Sequence, residues 1–229
     1  MTYASARSTP LALQASIEGK TYALFALAML LTTAGAAIGA IFAPVLFSSG
    51  IQLMLVLVEI AIILSAPFWS ERSPLNMLLF GLFPILSGIT VTPYLMLVLT
   101  GYGNGAAILI NALAATAFMA LAAGALARLS GWDLGFLGRG LLFALFGLIG
   151  FSLLQLFVPG LRTTGFDLML SGAGIVIFAL FTAYDLQRVQ EMGKLGASPF
   201  LMALRLYLDI FNLFLYVLRF MTALSGDRR

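Results

Sequence analysis

Cysteine and histidine are both absent from this chain of 229 residues, and charged residues make up only 9% of it. Without cysteine there are no disulfides, thiolate metal sites or cysteine nucleophiles, and nothing is learned of the redox compartment. Without histidine, the usual group that titrates between about pH 5 and 8 is missing, as is serine–histidine or zinc–histidine chemistry. Any proton-linked behaviour must therefore come from carboxyl groups in unusual surroundings. The formal net charge of +3 is small and spread over loops, which argues against nucleic acid as a partner.

What the chain has is apolar residues: 62% of it is hydrophobic and the mean hydropathy is +1.07, far outside the range of soluble domains. It reads as an all-α integral membrane protein. A span needs roughly 20 mostly apolar residues, and glycine, proline and charge divide the chain into seven such blocks. They lie at about 21–43, 51–69, 75–100, 104–127, 136–158, 166–190 and 199–224. Residues 1–20 read as a polar tail, and 225–229 as a short C-terminal tail. The first apolar run is too long for a signal-peptide core and is expected to be a retained span. An alternative remains open for the last block, which carries Arg205 and Asp209: it dips into the membrane and returns.

If the N-terminus is cytoplasmic, that side holds Arg7, Lys20, Arg72, Arg128, Arg139, Arg188 and Lys194, and the other holds Arg162, Arg228 and Arg229, with Arg219 near the end of the last block. The positive-inside rule favours that orientation. Small residues punctuate the blocks: Gly35 and Gly39 form a GxxxG, and the fourth block is nearly an alanine ladder from Ala112 to Ala127. Such positions let helix backbones approach closely in lipid.

A charge at the bilayer centre costs about 2.5–3.5 kcal/mol on insertion scales, so intramembrane acids call for an explanation. Three stand out: Glu59, Asp185 and Asp209. The two aspartates lie on consecutive blocks joined by a short loop, so an antiparallel hairpin is expected. Arg188 follows Asp185 by three residues and Arg205 precedes Asp209 by four, which puts each arginine on its aspartate's helix face. Asn212 and Tyr216 continue the face of Asp209 as a polar stripe, which places the last helix inside the bundle. With the blocks as bounded, Asp185 stands ~9 Å from the loop and Asp209 ~15 Å, so a shift of one turn is needed to bring them together. If they meet, two carboxyls in a low-dielectric site are expected to share a proton and titrate as a pair. Such a pair is a pH switch without histidine. An arginine moving on a neighbouring helix would change its balance, and Arg72 is the candidate. The competing expectation is of two ordinary intrahelical ion pairs near the interface. Glu59 is mid-block with no basic residue within a turn, and is read either as pore-lining or as hydrogen-bonded to a neighbouring helix.

These residues also carry a resemblance. "AYDLQRV" (183–189) followed by "LYLDIFNLFLYVLRF" (206–220) resembles the paired signature of the transmembrane Bax inhibitor motif family, the Bax inhibitor-1-like proteins. "LFPILSGITVTPYL" (82–95) resembles that family's third-helix segment, and the seven-block layout agrees over nearly the whole chain. The resemblance implies a seven-helix bundle with the final helix central, and a calcium leak that responds to pH. It makes Asp185 and Asp209 the proton sensor, gives Arg72 by approximate position the role of a latch, and puts Glu59 at a family-like acidic position. It suggests a bacterial member in the inner membrane. Some bacterial relatives are instead described as modulators of a membrane-bound ATP-dependent protease, so a regulator that binds other membrane proteins without transport is the alternative.

Other classes fit less well. Tyr184 and Asp185 match the "YD" of intramembrane aspartyl proteases, but Asp209 follows "LYL" rather than a glycine-bearing "GxG", and no "PAL" occurs. A retinal protein needs a lysine in the final block, and Lys20 and Lys194 lie elsewhere. No resident cofactor is expected. Calcium prefers oxygen ligands, yet two carboxylates, Glu59 and a few amides do not make a high-affinity site, so only weak contact at Asp185 and Asp209 is expected. The reading from the sequence is a non-enzymatic, pH-sensitive calcium or cation leak.

Overall fold

The computed structural model describes residues 11–48, 50–129, 133–194 and 197–226. Arg7 and the rest of the first ten residues, and Arg228 and Arg229, lie outside them. The helices are α1 (Leu11–Ile41), α2 (Ala43–Ser48), α3 (Ile51–Trp69), α4 (Leu75–Gly101), α5 (Gly105–Leu129), α6 (Leu137–Phe157), α7 (Thr164–Lys194) and α8 (Pro199–Ser225), with single 3₁₀ turns before α6 and α7. Seven of them, all but the six-residue α2, are long and apolar enough to cross a membrane. The chain is an all-α, multi-span membrane protein. In hydrocarbon every backbone N–H and C=O must be paired within the segment, which a continuous helix achieves. The helix α8 is unbroken over 27 residues, and this rules out the dip-and-return alternative for the last block.

The bundle is built around α8, which packs on α1, α4, α5 and α7. In its apolar window 56% of the residues are buried, against 11% for α3 and for the span ending in α6. Peripheral helices have one principal neighbour each: α3 leans on α4, and α6 on α7. The connections alternate between two ends. Arg72, Arg128 and Arg139 mark a basic end, and Arg162 and Arg219 lie at the opposite end.

Hydrophobic attraction between helices is lost in lipid, so close backbone packing must hold the bundle. The largest helix contact is between α1 and α4, and glycines make it. A Cβ on Gly35 would overlap the Ile85 backbone, one on Gly39 would overlap the Thr92 hydroxyl, and one on Gly88 would fall on Thr32 O and 2.6 Å from the Ala36 nitrogen. Thr92 Oγ1 donates to Gly88 O at 2.8 Å and lies 3.2 Å from Ala36 O across the contact. The alanine-rich α5 packs on α7 and α8, with Ala112, Ala123 and Ala127 buried.

Candidate functional site

The α7–α8 hairpin sets the depth of the two aspartates. The polar residues after position 190 remain helical, and α7 continues to Lys194. Asp185 therefore stands nine residues from the end of its helix, ~13 Å at 1.5 Å per residue, and Asp209 ten residues from Pro199, ~15 Å. Their depths match. The two carboxyls face each other within hydrogen-bonding reach, and both residues are 7% exposed. A hydrogen bond between two carboxyl groups requires a proton on one of them. Asp209 Oδ2 has no partner.

Among the described residues, neither Arg188 nor Arg205 lies within 4 Å of a carboxylate, so the expected intrahelical ion pairs do not form. Both arginines act on Asp185 through space. Arg188 Nη1 donates to Tyr184 OH at 2.9 Å, and Arg205 is exposed. Asp185, Arg188 and Arg205 line a small cavity of about 50 Å³ at the basic end, with Ala197 and Ser198 on its loop side. Arg72 is exposed on the α3–α4 turn and is not brought to the pair.

A second cavity, of about 940 Å³, lies toward the opposite end of the bundle. It runs from Arg162, Asp167 and Arg219 at the opposite end down to Glu59 and Ile63 in mid-membrane, between α3 and α4 on one side and α8 on the other. Glu59, Asn212 and Tyr216, read from the sequence as pore-lining candidates, all line it. Glu59 accepts from Thr90 Oγ1 at 2.8 Å and from Ser87 Oγ at 3.0 Å. Farther into the bundle, the buried Tyr207 OH of α8 bonds Thr32 Oγ1 of α1 at 2.7 Å. Asn212 Nδ2 donates to Leu208 O at 2.7 Å. Tyr216 stacks on Phe178, centroids 5.5 Å apart, and its ring lies where a Cβ on Gly174 would be.

On α8, Arg205 lines the small cavity and Asn212 the large one. Asp209 stands between them on the same face, four residues from one and three from the other. Asp185 lines the small cavity, and neither aspartate is among the residues that line the large one.

The residue-by-residue reading missed the polar group at the mouth of the large cavity. Arg219 Nη2 bonds Asp167 Oδ1 at 2.6 Å and also Gln155 Oε1, while Gln155 Nε2 donates to the same Asp167 oxygen at 2.6 Å. Arg162 donates to Gln155 O at 3.0 Å and to Leu156 O, covering carbonyls at the end of α6. The available signal was a lone acid and a lone base of opposite sign near the same end of the last two apolar blocks.

The family model described as "Inhibitor of apoptosis-promoting Bax1" matches residues 14–226. The chain belongs to this Bax inhibitor family. Similar members include an uncharacterized protein of Helicobacter pylori, 32% identical over 87% of this chain and 83% of its own length. Another, of Campylobacter jejuni, is 30% identical over 90% and 88%. The inner membrane protein YbhL of Escherichia coli is 30% identical over 78% and 75%. For this Bax inhibitor family member the match begins within α1 and ends one residue past α8, so it takes in every spanning helix.

Proposed function

We propose that the protein is a pH-sensitive leak for calcium or other cations in the bacterial inner membrane, with the N-terminus and the basic end in the cytoplasm. The observation that carries this reading is the position of Asp209 on α8 between Arg205, which lines the small cavity together with Asp185, and Asn212, which lines the large one. A barrier formed by a carboxyl pair changes with proton count. One shared proton ties α7 to α8; none leaves two like charges that repel; two remove the charge altogether. Each state presents a different field to a cation arriving past Glu59 and Asn212. Calcium is cargo in this reading, held weakly and briefly by the carboxylates. Arg188 and Arg205 tune the pair from the basic side, and Arg72 reaches it only if the α3–α4 turn moves. The inner-membrane location follows from the seven apolar helices together with the name of the Escherichia coli relative.

The test is calcium uptake into dye-loaded liposomes containing the purified protein, across about pH 5 to 8, for wild type, Asp185→Asn and Asp209→Asn. A pH-dependent flux whose pH response is lost in either variant is expected. No flux from the wild type at any pH would sink the leak and favour the non-transporting role, in which the chain binds other membrane proteins such as an ATP-dependent protease.

A further inference from the structure

The two arginines that tune the aspartate pair in the leak also border a cavity of their own at the basic end. Arg188 and Arg205 converge on one small cavity from neighbouring helices, and among the described residues neither has a carboxylate within 4 Å. The cavity is lined by one acid, Asp185, beside the two arginines. The nearby α3–α4 turn adds one charge of each sign, Glu71 and Arg72, and Glu191 follows Arg188 by three residues on α7, all three exposed. Among the described residues none of these acids lies within 4 Å of Arg188 or Arg205.

Besides Asp185 and the two arginines, Ser198 is the lining residue with a polar side chain. Ser198 stands at the N-cap of α8, yet its hydroxyl is turned away and donates to Ser70 O at 2.8 Å, so the first turn of α8 has no side-chain cap. Its backbone N–H groups add to the positive field of the two guanidinium groups. The space fits a small polyatomic ion: about 50 Å³ against the roughly 10–15 Å³ that one water needs gives room for three to five water-sized atoms. Guanidinium forks match the oxygens of phosphate groups in geometry as well as in charge. Arg188 and Arg205 each lie six residues, ~9 Å, inside their helix ends at Lys194 and Pro199. That depth is within reach of both a lipid headgroup and a free ion.

We infer that Arg188 and Arg205, with the cavity between α7 and α8 at the basic end, form a binding site for one phosphate-type oxyanion. The occupant is either a phospholipid headgroup phosphate or inorganic phosphate. Site and ligand class stand apart from ion conduction, so the test measures no flux.

In the first arm, thermal unfolding of the purified protein in a neutral detergent is followed as inorganic phosphate replaces chloride at constant ionic strength. The wild type should gain roughly 2–4 °C once phosphate exceeds its dissociation constant several-fold. Arg188→Gln and Arg205→Gln should each lose most of the gain. Arg139→Gln, which removes an exposed charge at the same end away from the cavity, should keep it. In the second arm, the same proteins in neutral detergent are mixed with phosphatidylglycerol or phosphatidylcholine, and bound lipid is counted by native mass spectrometry. Retention of phosphatidylglycerol by wild type and Arg139→Gln, with loss in both cavity variants, identifies the headgroup as the source. A response confined to the first arm identifies the free ion. Equal responses of wild type and both cavity variants in both arms, or no response of the wild type in either, would overturn the site. Single substitutions of partly exposed arginines keep the fold testable, and a cooperative unfolding transition in each variant checks that it is folded.

Discussion

Replacing Gly88 by alanine tests the packing on which the site rests. The added methyl would lie on Thr32 O, 2.6 Å from Ala36 N and 2.9 Å from Gly35 C. All three are backbone atoms of α1, so no side-chain rotation can relieve the overlap. Restoring ordinary contact near 3.5 Å moves α4 off α1 by about 1.4 Å, and a gap of only about 0.5–1 Å already forfeits a quarter to a half of the dispersion attraction it opens. Overpacking of this kind costs about 1–3 kcal/mol, less up to ~1 kcal/mol returned by the better helix propensity of alanine. A net loss of about 1–2 kcal/mol is expected. The shift would also strain the Thr32–Tyr207 hydrogen bond and the hold of Ser87 and Thr90 on Glu59. Gly81 is the control: it is seven residues earlier on α4 and has nothing within 4 Å of an added Cβ. Gly81→Ala should be neutral or stabilising by up to ~1 kcal/mol. The assay is reversible unfolding in mixed micelles titrated with SDS, both variants beside wild type. Gly88→Ala as stable as Gly81→Ala would refute the packing argument.

At the cavity mouth, a single nitrogen of Arg219 reaches both Asp167 and Gln155, a role that a lysine ammonium can fill. Arg219→Lys should keep most of the stability, while Arg219→Met should lose about 1 kcal/mol, a modest figure because the pair is about a third exposed; equal losses in the same unfolding assay would refute it. Thr90→Val removes the 2.8 Å donor to Glu59, and a double-mutant cycle with Glu59→Gln should show coupling of about 0.6–1.7 kcal/mol; zero coupling would mean the bond is not formed in lipid. Tyr207→Phe deletes the buried bond to Thr32 and leaves the ring contacts with Phe83 and Phe211. A loss of about 0.6 kcal/mol is expected, and one above ~3 kcal/mol would mean that the ring had also moved.

The seven spans are legible in the sequence because a bilayer imposes length and composition on each helix separately. The inward polar face of α8 is legible for the same reason: Arg205, Asp209, Asn212 and Tyr216 recur at helical spacing within one segment. Depth matching in the hairpin is not legible. Hydropathy falls after Gln190, but a helix need not stop where it leaves hydrocarbon, and the additional turn to Lys194 brings Asp185 level with Asp209. The GxxxG of α1 is visible, but its counterpart Gly88 is recognisable only once α4 lies across α1. Both cavities are products of how helices tilt away from one another, a property no single segment encodes. The same limit applies to Arg72: its place at the end of an apolar block can be read, but its separation from the aspartates cannot.

The central helix is also the last of the seven to be synthesised. Chains emerge at about 5–20 residues per second from the N-terminus, so six spans are made before α8, the one that touches four of them. Until it arrives, α1, α4, α5 and α7 have no common partner, and Asp185 waits without the carboxyl it faces in the finished bundle. Assembly of the bundle is therefore a late, concerted event set by delivery of the final span. A nascent chain cut before position 199 is a set of inserted helices around an unfilled axis, with Asp185 left uncovered along it.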